Sequence, residues 1–100
     1  MSELTSKQRK FLRSEAHSLK PVVQIGQNGL SEGVLRELND ALDSHELIKV
    51  RVAADREERD EIIPELLRLG RAELAGAVGK VAILYRQHPQ PEKRKIRLPA

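Results

Sequence analysis

Apolar and polar positions change their spacing several times along this chain, and each change marks an element. Leu4, Phe11, Leu12, Ala16 and Leu19 fall on one side at 100° per residue, which predicts a first helix. Thr5 followed by Gln8 has capping-box spacing and places its start. Lys10, Arg13 and His17 take the opposite side, with Arg9 and Lys20 at its edge. Pro21 ends the helix and pushes Lys20 towards extended geometry. Pro21–Ile25 is short and β-branched, as a buried strand is. Helical spacing returns over residues 31–45, where Val34, Leu35, Leu38, Ala41 and Leu42 form one stripe. Leu47–Val52 alternates apolar residues with Lys49 and Arg51, the period of a strand with one polar face.

A third helix is predicted over residues 55–69, with Ile62, Ile63, Leu66 and Leu69 inward. Pro64 lies inside it and should kink or split it, and Gly70 is a natural stop. Residues 72–78 and 81–86 read as two strands joined by Gly79 and Lys80, a hairpin. A proline-bearing loop, QHPQPE, leads to KRKIRLPA, a basic edge strand or tail at about 93–100. The order is a helix followed by βαβαββ, implying parallel neighbours with right-handed crossovers and a final antiparallel hairpin. The expected fold is an α/β two-layer sandwich, with helices on one face of a small mixed sheet. One hundred residues make a single domain of it.

Composition narrows the chemistry. Phe11 and Tyr85 are the only aromatics, so the core is aliphatic. With no cysteine there is no disulfide, zinc–cysteine site or thiol nucleophile. The longest apolar run, at 81–85, is far below the roughly 20 residues of a membrane span. No signal peptide is visible, and a cytoplasmic protein is expected. His17, His45 and His88 have no metalloprotease spacing, no serine sits in a GxSxG elbow, and no P-loop or dinucleotide fingerprint occurs. The expectation is a binding protein rather than an enzyme, without catalytic residues, metal, cofactor or small-molecule substrate.

The net charge of +3 hides an uneven distribution. Residues 1–20 hold five basic and two acidic side chains, and residues 80–100 hold six and one. The middle of the chain is acidic. Two basic ends suit an anionic partner if the fold brings them together.

Between the first strand and the second helix stands Gly26-Gln27-Asn28-Gly29. Glycines let a backbone approach closely, and a helix start offers unpaired N–H groups, a combination that suits a phosphate. Gln27 and Asn28 add neutral donors and acceptors for sugar or base. An ordinary strand-to-helix turn would also use Asn-Gly. The loop gains weight from its setting: a basic helix and Lys20 precede it, and KRKIR ends the chain.

These stretches, above all LKPVVQIGQNGL with HELIKV, then GKVAILYR and KRKIRLP, resemble the stand-alone bacterial CRM-domain proteins, the YhbY-like family. The match runs in order along nearly the whole chain. The longer QHPQPE link and Pro64 depart from the family pattern without touching the loop. The resemblance implies a fold like the C-terminal domain of translation initiation factor three. It also implies RNA binding through a GxxG loop, here Gly26, Gln27, Asn28 and Gly29, and assistance to assembly of the large ribosomal subunit. The expected phosphate contacts are Lys20, Lys10 and Arg13 from one flank and Lys93, Arg94, Lys95 and Arg97 from another. Lys49 and Arg51 could line an open sheet face. Few aromatics mean little base stacking, so backbone and shape should be recognised rather than a short sequence. The expected partner is precursor ribosomal RNA, bound by a monomer. A protein-interaction module for an acidic partner and a non-specific nucleic-acid binder are the alternatives.

Overall fold

The computed structural model describes residues 4–100. Helix α1 (Ser6–Ala16) begins at a reciprocal capping box. The Gln8 N–H donates to Thr5 Oγ1 at 3.1 Å, and the Thr5 N–H donates to Gln8 Oε1 at 3.0 Å. Leu4, Leu12 and Ala16 are buried from this helix side, with Phe11 packed beside them. Leu19 leaves the stripe and is 40% exposed. The chain turns after Ala16, whose carbonyl accepts the Leu19 N–H at 3.0 Å, so helical spacing no longer applies there.

The other elements are β1 (Pro21–Ile25), α2 (Glu32–His45), β2 (Leu47–Val52), α3 (Arg56–Gly70), β3 (Glu73–Val78) and β4 (Val81–Tyr85), followed by one 3₁₀ turn (Pro91–Lys93). The sheet order is β1-β2-β4-β3, with β1 parallel to β2 and β4 antiparallel to both its neighbours. The second strand-helix-strand unit therefore does not pair with itself, because β4 inserts between β2 and β3. The two-residue turn, with Gly79 at φ +58°, commits β4 to β3. Ala82, Ile83, Leu84 and Tyr85 are all buried, which suits the centre of a sheet, whereas β3 ends in exposed Ala77 and Val78.

Alternation along the strands divides the core. Val23, Ile25, Ile48, Val50, Val52, Ala82 and Leu84 pack with Leu38, Leu42 and Leu66 of α2 and α3. Leu47, Ala75, Ile83 and Tyr85 point the other way, towards Leu4, Leu12 and Ala16, with Ile96 and Leu98 from the chain end. The βαβαββ portion thus forms the two expected layers. Helix α1 lies on the reverse face, against the expectation that all helices share one face. A single apolar stripe requires burial but does not choose a face. Each fully buried leucine of either cluster is worth about 1.5–3 kcal/mol.

Two expectations for α3 change. Pro64 does not split the helix. The carbonyl that its missing N–H would have met belongs to Asp60, and both residues are exposed, so water can satisfy it. Gly70 is not the left-handed stop, a role taken by Arg71 at φ +49°. Gly70 instead makes room: a Cβ there would lie 2.9 Å from Leu38 Cδ2. Arg86 closes this corner, donating to Asn39 Oδ1 and the Gly70 carbonyl, each at 2.7 Å, and to Asp43.

Candidate nucleic-acid interface

The Gly26–Gly29 loop is a turn closed by the Gly29 N–H donating to the Gly26 carbonyl at 3.1 Å. Its two glycines differ. Gly29 has φ +61°, a conformation that other residues rarely adopt. Gly26 has no such φ, and a Cβ added to it would meet nothing within 4 Å. Neither a left-handed φ nor packing among the described residues explains Gly26. Gln27 and Asn28 are exposed at the tip. Helix α2 starts at Ser31, whose Oγ already accepts the Val34 N–H at 3.3 Å. Exposed Glu32 stands in its first turn, so the helix start offers less to an anion than an uncapped one.

Strand register shows what lies beside the loop. On the α1 side of the sheet, Gln24 pairs with Arg51, Arg51 with Val81, and Val81 with Val78. This row is two residues before Gly26, about 6–7 Å of strand. The next row inward is Pro21, Lys49, Ile83 and Gly76. Helix α1 crosses beyond it, over Leu47 and Tyr85. The half of this face nearest the loop is thus left open, and a groove of about 480 Å³ runs between it and α1. Arg13, His17 and Lys49 line the groove together with Pro21, Val78, Val81 and Ile83.

Each cation has a local reason for its place. A bulge between Leu74 and Gly76 takes Ala75 out of the β3–β4 ladder, and the Ala75 carbonyl accepts from Arg13 Nη1 at 3.0 Å. Gly76 lets the arginine lie flat, since a Cβ there would come 2.6 Å from Arg13 Cδ. Lys49 Nζ donates to the Leu19 carbonyl at 3.0 Å, and Arg51 is exposed. His17 lies exposed on the groove wall rather than bonded into the first strand's start. Lys10 is exposed on the same helix.

The expected cationic residues do not form one surface. Lys20 follows the turn after α1 and lines a different cavity, with Glu15, Leu19, Val22 and His45. It is therefore parted from Arg13, because the helical wheel that joined them ends at the turn. Residues 93–100 add no strand to the sheet. Glu46, fully buried and at φ +62°, accepts the N–H groups of His88, Lys95 and Ile96 at 2.7, 2.6 and 3.0 Å. Those bonds hold the chain end at the start of β2, opposite the loop, and Gln8 Nε2 donates to the Pro99 carbonyl at 3.0 Å. Lys93, Arg94, Lys95 and Arg97 are exposed there, with Arg94 Nε donating to the His88 carbonyl at 2.8 Å. Tyr85 is core, and its buried hydroxyl meets no hydrogen-bond partner among the described residues. Burial, then the Glu46 carboxylate, push its pKa up to about 12.

Among the described residues, no group of His, Cys, Asp and Glu could hold a metal ion, and no helix is long and apolar enough to cross a membrane. The sequence model of the CRS1 / YhbY (CRM) domain matches residues 4–86, the span holding the loop, the groove and the whole sheet. The chain belongs to the CRM family. An RNA-binding protein of Haemophilus influenzae is 48% identical over 100 residues, covering 99% of this chain and 98% of that one. A probable RNA-binding protein of Pseudomonas aeruginosa is 47% identical over 91 residues, covering 90% and 88%. Bacillus subtilis YqeI, also named a probable RNA-binding protein, is 36% identical over 97 residues, covering 96% and 99%. The solution structure of a Staphylococcus aureus protein, described as a candidate RNA binder, superposes with a TM-score of 0.79 at 34% identity, covering 96% and 99%.

Inspection of the CRM sequence finds the loop and the α1 cations directly but misses the groove floor and Glu46. Val81 and Ile83 share a face with Lys49 only because β4 lies beside β2, which local patterning does not reveal. For Glu46 a faint signal exists: a lone carboxylate between a helix and an otherwise apolar strand start.

Proposed function

We propose that this protein binds RNA without catalysing a reaction on it, through the face formed by the Gly26–Gly29 loop, the exposed row Gln24–Arg51 and the basic flank of α1. The observation that carries the reading is Gly26. A glycine needed neither for its φ nor for packing among the described residues, two residues beyond the exposed Gln24–Arg51 row, is explained by close approach of an external backbone. The names of its relatives, RNA-binding proteins in three bacteria, support the same reading. Of the exposed acids of α2, Glu37 and Asp40 belong to the layer behind the sheet and would not repel RNA at this face, whereas Glu32 stands next to the loop.

The RNA we assign is that of the large ribosomal subunit precursor, whose assembly the protein would assist as a cytoplasmic monomer; the likeness of the chain to YhbY-type sequences supports this choice. The loop and groove make one footprint. Lys93, Arg94, Lys95 and Arg97 make a second, at the far end of a molecule whose longest extent is 37 Å, reachable only by a longer RNA. With about five phosphates neutralised, log affinity falls with log salt at a slope of roughly −3.5 to −4.5.

Gradient sedimentation of a lysate tests the function. The protein is expected with particles near the large subunit at low salt, and at the top after high salt or nuclease. Protein that stays at the top at low salt rules out the ribosomal assignment, and an association that survives nuclease points to a protein partner instead.

A further inference from the structure

The groove between α1 and the open half of the sheet has features that phosphate binding alone leaves unexplained. Its floor is apolar: Pro21, Val81, Ile83 and Val78, the last 72% exposed. Phosphates do not call for such a floor, and a valine that exposed on an edge strand buries little within the chain. Its wall carries the cations Arg13 and Lys49, with the His17 imidazole beside them, and among the described residues no acidic side chain lines it. Its volume, about 480 Å³, lies within the range of small-ligand sites. Arg51 and Gln24 stand between the groove and the Gly26–Gly29 loop, each exposed and each able to hydrogen-bond the edge of a base.

We infer that the groove is a nucleotide site: it takes one unpaired nucleotide of the bound RNA, with the base on the Val78–Val81–Ile83 floor and its phosphate against Arg13 and Lys49. This deepens the RNA-binding reading and rests on it. The occupant follows from complementarity. The flat, weakly polar base matches an aliphatic floor, the anion matches the wall, and the chain can continue past Gln24 to the loop. A base inside a duplex has both faces stacked and its edge paired, so it cannot reach this floor; an unpaired base in a loop or bulge can. The scarcity of aromatics therefore does not confine the protein to backbone recognition, because the floor offers contact area without a stacking ring. Gly76 belongs to the same device, since a side chain there would push Arg13 off the Ala75 carbonyl and into the groove.

The test is methyl and backbone-amide NMR of the full chain titrated, at low salt, with a single-stranded RNA hexanucleotide and with a blunt RNA duplex of equal phosphate number. The expected result is ring-current shifts at the methyls of Val78, Val81 and Ile83 with the single strand and none with the duplex. Val78→Ser, at a position exposed enough to leave the fold intact, should weaken the single strand about five-fold and the duplex not at all. Shifts confined to the Gly26–Gly29 amides and to α1, with equal affinity for both RNAs, would overturn the nucleotide site and leave RNA binding standing. Absence of binding to either RNA would overturn both.

Discussion

Two ends of this small molecule are basic, and they are built in opposite ways. At the loop end the surface is open: the cations Arg13 and Lys49 line a groove together with His17, and Gly26 meets no described atom within 4 Å of where its Cβ would be. At the other end, the backbone of the basic tail is fastened. Two of its N–H groups, with that of His88 in the loop before it, donate to the Glu46 carboxylate, Pro99 is held by Gln8, and half-buried Ile96 and Leu98 pack against the core under α1. The lesson is that positive charge marks where RNA is attracted, whereas a site also needs room and a shape. The loop end has all three; the tail end has charge on a fixed strap.

The largest expected effect separates the two ends by charge. Arg13→Glu combined with Arg51→Glu should weaken binding of a short RNA roughly hundred-fold at moderate salt, measured by fluorescence anisotropy. An unchanged affinity in the folded double variant would move the interface elsewhere.

Glu46→Ala acts on the tail end instead. It strands backbone donors in a buried place and should cost about 2–4 kcal/mol in denaturant unfolding. The tail should become sensitive to trypsin, which cuts after its basic residues. Short-RNA affinity of the folded fraction should stay as it was, and a parallel loss would join the two ends into one site.

Gly26→Val sharpens the loop. With open space around it and no left-handed φ, it should keep wild-type stability within about 1 kcal/mol yet weaken RNA about ten-fold. Gly29→Val, by contrast, should also destabilise, because φ +61° strains a β-branched residue. If Gly26→Val binds normally, the loop is a turn and nothing more.

Neutralising Lys93, Arg94, Lys95 and Arg97 together should reduce affinity only a few-fold, and only for RNA long enough to reach past α1. Least of all, Tyr85→Phe should change stability at neutral pH by under about 1 kcal/mol, since the hydroxyl it removes has no partner among the described residues. Its effect appears in alkali. The folded pKa of about 12 lies above the ordinary value of 10.0, so the stability Tyr85 contributes is complete below pH 10 and lost as pH rises through 12. The phenylalanine variant should lack that loss in pH-resolved unfolding.

Much of this was legible along the chain, because the signals are local. The capping box at Thr5 and Gln8, the strand at Leu47–Val52 and the turn at Gly79 and Lys80 each depend on residues a few positions apart. So does the Gly26–Gly29 turn, with the glycine that its φ demands. What the chain could not announce is which distant elements become neighbours. The face chosen by α1, the insertion of β4 between β2 and β3, and hence the floor under Arg13 depend on burial summed over the whole domain. Gly70 and Gly76 look like stops or flexible points in sequence, yet each is a space cleared for a side chain from another element, Leu38 in one case and Arg13 in the other. The same holds for charge. Composition located two basic stretches, but only packing turned Arg13 of one towards the groove and fastened the other at the start of β2, because a cation's position is decided by the backbone that carries it, and that backbone follows the apolar core.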